Sequence, residues 1–158
     1  MAKGFKQKEG IDYFDSYAPL TRITSIRVLL AFASIYKLIV HQMDVKTAFL
    51  NGDLDDEVYM KQPEGFVLPR NEKKVCKLVK SLYGLKQAPK QWHEKFDFVI
   101  LLDGFVHNGT DKCMYSKFTK ENGVIVCLYV YNMFIFDANT KGVCETKRFC
   151  LLSLKWKI

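Results

Sequence analysis

A chain of 158 residues with 49% hydrophobic side chains is long enough for one core and too apolar to be disordered. Its formal charge of +7 permits a polyanionic partner, and no apolar run is long enough to span a bilayer. The basic stretch from Met1 to Lys8 has no apolar segment behind it and is not a secretory signal.

Pro19 precedes a polar stretch, Thr21 to Ser25, with good N-cap residues, and Ile26 to Lys37 then reads as a helix. Ile26, Leu29, Leu30, Ala33 and Tyr36 fall at helical spacing, which predicts one buried face. Leu38 to Asp44 reads as a strand that places Val40, Gln42 and Asp44 on one face. Asn51-Gly52-Asp53 marks a turn, and Val58-Tyr59-Met60 a short strand ending before Pro63. Val75 to Leu82 is predicted as another strand. Ala88-Pro89 opens a second helix with Trp92, Phe96 and Val99 on one face, and Gly104 ends it.

Met114 to Phe118 and Gly123 to Val130 read as strands joined around Asn122-Gly123, a hairpin signal. Two apolar arms in the run from Leu128 to Ile135 then meet at a short polar tip, Tyr131-Asn132, and Met133 to Phe136 returns as a strand. Thr140 to Leu152 reads as a final helix, weakened by Gly142. Hairpin strands with separated helices predict an α+β fold, and no linker marks a second domain. Cys76, Cys113, Cys127, Cys144 and Cys150 are odd in number and lack C-x-x-C spacing, so mostly packed, reduced thiols in an intracellular protein are expected. The lysines and arginines are dispersed, and charge alone gives nucleic-acid binding only modest support.

A lone acid at a strand end, such as Asp44, is more often a cap or surface group than a metal ligand. Its context changes that reading. The stretch His41-Gln42-Met43-Asp44-Val45-Lys46-Thr47-Ala48-Phe49-Leu50-Asn51-Gly52-Asp53-Leu54 closely resembles the first catalytic motif of copia-type LTR retrotransposon reverse transcriptases. Tyr59 to Phe66 resembles the segment that follows it in the family. Lys77 to Trp92, with Leu82-Tyr83-Gly84-Leu85-Lys86-Gln87-Ala88-Pro89 at its centre, is similar to the second motif. Leu128-Tyr129-Val130-Tyr131-Asn132-Met133 aligns with the third, where the family carries Tyr-Val-Asp-Asp-Met. The matches keep their order over nearly the whole chain, which makes them far more specific than one short pattern.

The resemblance implies a fingers-and-palm piece of an RNA-directed DNA polymerase from a Pol polyprotein, with an antiparallel palm sheet and packed helices. Its partners would be an RNA or DNA template-primer and a deoxynucleoside triphosphate, with no membrane. The family's reaction is a two-metal phosphoryl transfer in which carboxylates hold two Mg²⁺ ions. By position Asp44 would be a metal ligand, aided by the backbone carbonyl of Val45. Phe49 would occupy the steric gate against a ribose 2′-hydroxyl. Tyr83, Gly84 and Lys86 would lie beside nucleotide and template. Each has a plainer rival: Phe49 as core, Tyr83-Gly84 as an ordinary turn, Lys86 as a solvated charge. Trp92, Phe96 and Phe98 are assigned to helix packing rather than to base stacking.

The departure from the family falls on its catalytic positions. Tyr131 and Asn132 stand where the paired aspartates are carried. A phenol is neutral at physiological pH and a poor Mg²⁺ ligand, and asparagine keeps the shape of the second acid without its charge. Asp137 lies too far along the chain to substitute, and Asp53, Asp55 and Asp56 follow a turn away from Asp44. The expectation is a single partial domain over residues 1–158, without thumb, connection or ribonuclease H regions and without polymerase activity in this copy. A non-catalytic nucleic-acid-binding remnant and a translated relic without function are the alternatives.

Overall fold

The structure, a computed structural model, describes residues 2–120 and 122–154. Helix α1 (Ile23–Tyr36) leads into strand β1 (Ile39–Asp44), then β2 (Tyr59–Lys61) and β3 (Val75–Lys77). Helix α2 (Ala88–Leu102) follows, then β4 (Val106–His107), β5 (Met114–Phe118), β6 (Gly123–Tyr129), β7 (Asn132–Asp137) and α3 (Thr140–Ser153). Five strands form one antiparallel sheet in the order β1-β7-β6-β5-β4, and β2 pairs with β3 in a separate two-stranded sheet. The architecture is α+β, as expected. No helix among the described residues is long and apolar enough to cross a membrane.

Local chemistry explains most of the boundaries. α1 ends at Lys37, which adopts a left-handed φ of +54° and donates its N–H to Ala33 O. Pro89 sits in the first turn of α2, where a missing N–H costs nothing. α3 is capped by Asn139, whose side chain accepts the Gly142 N–H at 3.1 Å. Gly142, expected to weaken this helix, is required by packing: a Cβ there would stand 1.7 Å from Asp137 Oδ2.

The two faces of the large sheet are packed unequally. Beneath α2 and α3, Met43, Tyr115, Val126, Leu128, Met133 and Ile135 of the strands meet Trp92, Phe96, Ile100, Val143 and Cys150 of the helices. Fully burying each large apolar side chain contributes about 1.5–3 kcal/mol, so most of the hydrophobic stabilisation lies on this face. On the other face α1 supplies only Leu29 and Ala33 against Cys127 and Phe136. The Thr21 hydroxyl, just ahead of α1, bridges the carbonyls of Cys113 and Leu128 at 3.1 and 2.9 Å.

Several expectations need correction. α1 begins at Ile23, and Leu30 and Tyr36 of its expected buried face are 43% and 65% exposed, because α1 covers only part of its side of the sheet. β2 and β6 are each offset by one residue from their expected ends, and β3 stops at Lys77 because its partner strand is equally short. β4, two residues long, carries no signal in the sequence. Phe98 does not pack with Trp92 and Phe96 but stands 60% exposed. Of the thiols, Cys113, Cys127 and Cys150 are buried, and burial pushes each up to about 12; Cys144 is exposed.

Candidate functional site

The pairing register of the sheet brings the first and third motifs together. β1 and β7 run antiparallel with Asp44 directly opposite Asn132, and β6 and β7 pair Tyr129 with Asn132. Side chains at directly opposed positions share a face, so Asp44, Gln42, Asn132 and Phe134 line the α1 side of the sheet; Phe134 packs against the Leu29 and Ala33 cluster, while Gln42 and Asp44 are exposed. Gln42 Nε2 donates to Asn132 Oδ1 at 2.9 Å. The Asp44 carboxylate is exposed and has no hydrogen bond or ion pair among the described residues.

The hairpin tip lies one residue earlier than expected. Its two-residue connection is Val130-Tyr131, and Asn132 already belongs to β7. Val130 has φ +58°, a rare conformation for a β-branched residue. Such backbone costs on the order of 1–3 kcal/mol and persists only where surrounding contacts hold it. Here Val45 N–H donates to Tyr131 O at 2.9 Å, and the Trp92 indole N–H donates to Val130 O at 2.8 Å.

A cavity of about 460 Å³ opens beside this strand end. Asp44, Val45, Phe49, Leu82, Tyr83 and Tyr131 are among the residues lining it. The Phe49 and Tyr83 rings stand 5.5 Å apart between centroids. Their approach is set by the 3₁₀ turn Ala48–Asn51 after Thr47, whose φ is +61°, and by the second-motif turn at Gly84. Gly84 has φ +101°, and its carbonyl lies so close to Gly4 that a Cβ on Gly4 would meet it at 1.8 Å. Ala2 N–H donates to Tyr83 O at 3.2 Å, so the N-terminal segment braces this turn.

Five of the sequence-predicted positions, Asp44, Val45, Phe49, Tyr83 and Tyr131, thus share one cavity. Asn132, Gly84 and Lys86 are outside its lining; Lys86 is exposed and held through its backbone N–H to Gln7 Oε1 at 2.9 Å. The Val45 carbonyl accepts the Ala48 N–H at 3.2 Å. None of the other acids considered lines the cavity. Asp137, at the far end of β7 opposite Ile39, is fully buried. Asp53 is paired with Lys80 and Lys95, and its hydrogen bond to Lys80 leads in holding its carboxyl below the ordinary value. Asp56 accepts from Gln87 Nε2 at 3.2 Å. Among the described residues no group of three or more histidine, cysteine, aspartate or glutamate side chains is placed to hold a metal ion.

Two residues of this region lie within the matched motifs without an assigned role at the site. Gln42 was legible only as a residue on the Asp44 face. The sequence assigns Trp92 to helix packing, yet a buried indole N–H must find an acceptor; its acceptor here is Val130 O at the hairpin tip.

The family described as "Reverse transcriptase (RNA-dependent DNA polymerase)" matches residues 1–157. The chain belongs to this family, as a fragment of the copia-type retrotransposon branch. It is 49% identical over 148 residues to the retrovirus-related Pol polyprotein from transposon TNT 1-94 of Nicotiana tabacum, covering 93% of this chain and 11% of that protein. It is 39% identical over 135 residues to the Pol polyprotein from transposon RE1 of Arabidopsis thaliana, covering 85% of this chain and 9% of that one. The RE2 polyprotein of the same plant is 38% identical over 140 residues, with 89% and 10% covered. The chain therefore spans about a tenth of the length of these curated relatives. No solved structure matches.

Proposed function

We propose that residues 1–158 are a single fingers-and-palm piece of a copia-type reverse transcriptase in which the polymerase centre keeps its backbone and has lost its chemistry. The observation that carries this reading is the register. Asp44 of the first motif stands directly opposite Asn132 of the third, with Tyr131 in the adjoining turn and a cavity in front.

In the family, paired Mg²⁺ ions would activate the primer hydroxyl and neutralise the triphosphate. The donors present here do not fit such a pair. Asp44 is the one carboxylate, Asn132 is neutral with its Oδ1 engaged by Gln42, Tyr131 offers a phenol, and the Val45 carbonyl already accepts from Ala48. Mg²⁺ sheds its hydration reluctantly and is held by carboxylates and phosphates, so one carboxylate leaves little to retain two dications. Phe49 retains the steric-gate position and Tyr83 the nucleotide side of the cavity, with Gly84 shaping that turn. Lys86, exposed nearby, faces the template.

A second reading concerns what survives. An adjoining cavity of about 510 Å³ shares Ala2 and Met60 with the first and is lined by Lys3, Lys6 and Lys61 alongside Asp12 and Glu57. These lysines favour residual binding of a template-primer through its phosphates, with little sequence preference and a steep salt dependence.

Primer extension on an RNA template, with Mg²⁺ and with Mn²⁺, tests the main reading. The unmodified chain is expected to be silent. Extension by it would overturn the assignment of the defect to Tyr131 and Asn132; extension only by Tyr131→Asp/Asn132→Asp would support it.

A further inference from the structure

The turn that carries Tyr131 is held by two donors from outside its hairpin. Val45 N–H, at the end of β1, reaches Tyr131 O at 2.9 Å, and the Trp92 indole N–H, from α2, reaches Val130 O at 2.8 Å. Both acceptors are carbonyls of the two turn residues. Trp92 is 1% exposed and its ring packs 5.8 Å from that of Phe96, inside the well-filled face of the sheet. Its donor is therefore aimed by the core rather than by the hairpin. Val130, at φ +58°, is the residue that most needs an external hold. An indole nitrogen is a donor only, so the contact has one polarity and no alternative arrangement.

We propose that Trp92 is a positioning residue: its indole N–H fixes the β6–β7 tip and with it the placing of positions 131 and 132 against Asp44. This rests on reading the β1–β7 strand end as the functional centre. Because both holding bonds end on backbone carbonyls, they do not depend on the side chains at 131 and 132. The substitutions at those positions thus leave the scaffold in place, and aspartates restored there would be presented to Asp44 by the same two bonds. A phenylalanine at position 92 would fill most of the space and leave Val130 O without a partner.

The test replaces Trp92 with 3-benzothienylalanine, which keeps the fused-ring shape and lacks the N–H, beside the simpler Trp92→Phe. Amide hydrogen exchange is read at Val45, which donates to Tyr131 O, and at Leu128, which donates to Cys113 O at 2.9 Å. Loss of the indole donor is expected to speed exchange at Val45 roughly tenfold while Leu128 keeps its protection. Equal acceleration at both amides would reduce Trp92 to a packing residue, and unchanged exchange at Val45 would remove its hold on the tip. Either result overturns the proposal. The readout needs neither metal nor nucleotide, so primer extension by the unmodified chain would sink the reading of the centre without altering this result.

Discussion

The two faces of the five-stranded sheet have been given different work. Under α2 and α3, Trp92, Phe96, Ile100, Tyr115, Val126, Met133 and Ile135 have 1% exposure or less, a density typical of a closed core. On the opposite face α1 lays down Leu29 and Ala33 and leaves Val28, Phe32, Ile35 and Tyr36 in solvent, with Asp44 and Gln42 uncovered beyond it. Most of the hydrophobic stability resides on the first face, while Asp44 and Asn132 stand on the second. That separation would let side chains at the strand end change with little cost to the core. On the proposed reading, Tyr131 and Asn132 stand in place of acids, and Tyr131, 41% exposed, lies outside the closed core.

The separation can be broken most directly from the closed side. Phe96→Ala, at a site with no exposure, is expected to cost about 3–5 kcal/mol, read as a shift in a urea or thermal melt. Gly142→Ala should come next: its methyl group would collide with Asp137 Oδ2 and Val124, and relief requires α3 to move, for a loss of roughly 1–3 kcal/mol.

A smaller effect comes from His93, whose ring nitrogen Nε2 stands 3.4 Å from Cys113 Sγ. Burial leads in holding His93 below the ordinary histidine value; Asp97 opposes it, His107 adds to it and Glu94 opposes it. The unfolded chain therefore takes up a proton at a higher pH than the folded one. Stability should be full above the unfolded value near 6.5 and fall as pH drops through the window below it. His93→Gln should flatten that slope in melts run between about pH 7 and pH 5. His41 is lowered in the same sense by burial and Lys147 and would leave part of the slope in place. Smallest of all, Ile35→Lys on the open side of α1, 72% exposed, should change stability by no more than about 0.5 kcal/mol. A large loss there would mean that α1 is covered and that the two faces are not so different.

Much of this arrangement is legible in the sequence, for identifiable reasons. α2 follows from Pro89 at its start, Gly104 beyond its end and the 3.6-residue recurrence of Trp92, Phe96 and Val99. β5 follows from the hairpin signal at Asn122-Gly123, although Gly123 itself opens β6, paired with Phe118. The order of the motifs predicts that Asp44 and Asn132 belong together, and the β1–β7 register sets them opposite each other. What escapes depends on tertiary contacts. The tip falls on Val130-Tyr131 because external donors hold a β-branched residue where local preference would not put it. Gly142 looks like a weak point in a helix until Asp137 is seen against it. The exposed flank of α1 could not be read from its apolar residues, since a helix apolar on several sides predicts burial on several sides. Gln42 and Trp92 fall within the matched motifs, but their partners, a side chain and a carbonyl far away in sequence, could not be read from them.

The central claim is that the backbone of the site survives and its charge does not. Binding of Mn²⁺, followed by the electron paramagnetic resonance signal of the free ion, tests it without requiring turnover. Tyr131→Asp/Asn132→Asp is expected to bind Mn²⁺ at least about tenfold more tightly than the unmodified chain, because two carboxylates would rejoin Asp44 on a scaffold already in place. Equal affinities in the two proteins would contradict the account, whether both bind tightly or both bind weakly.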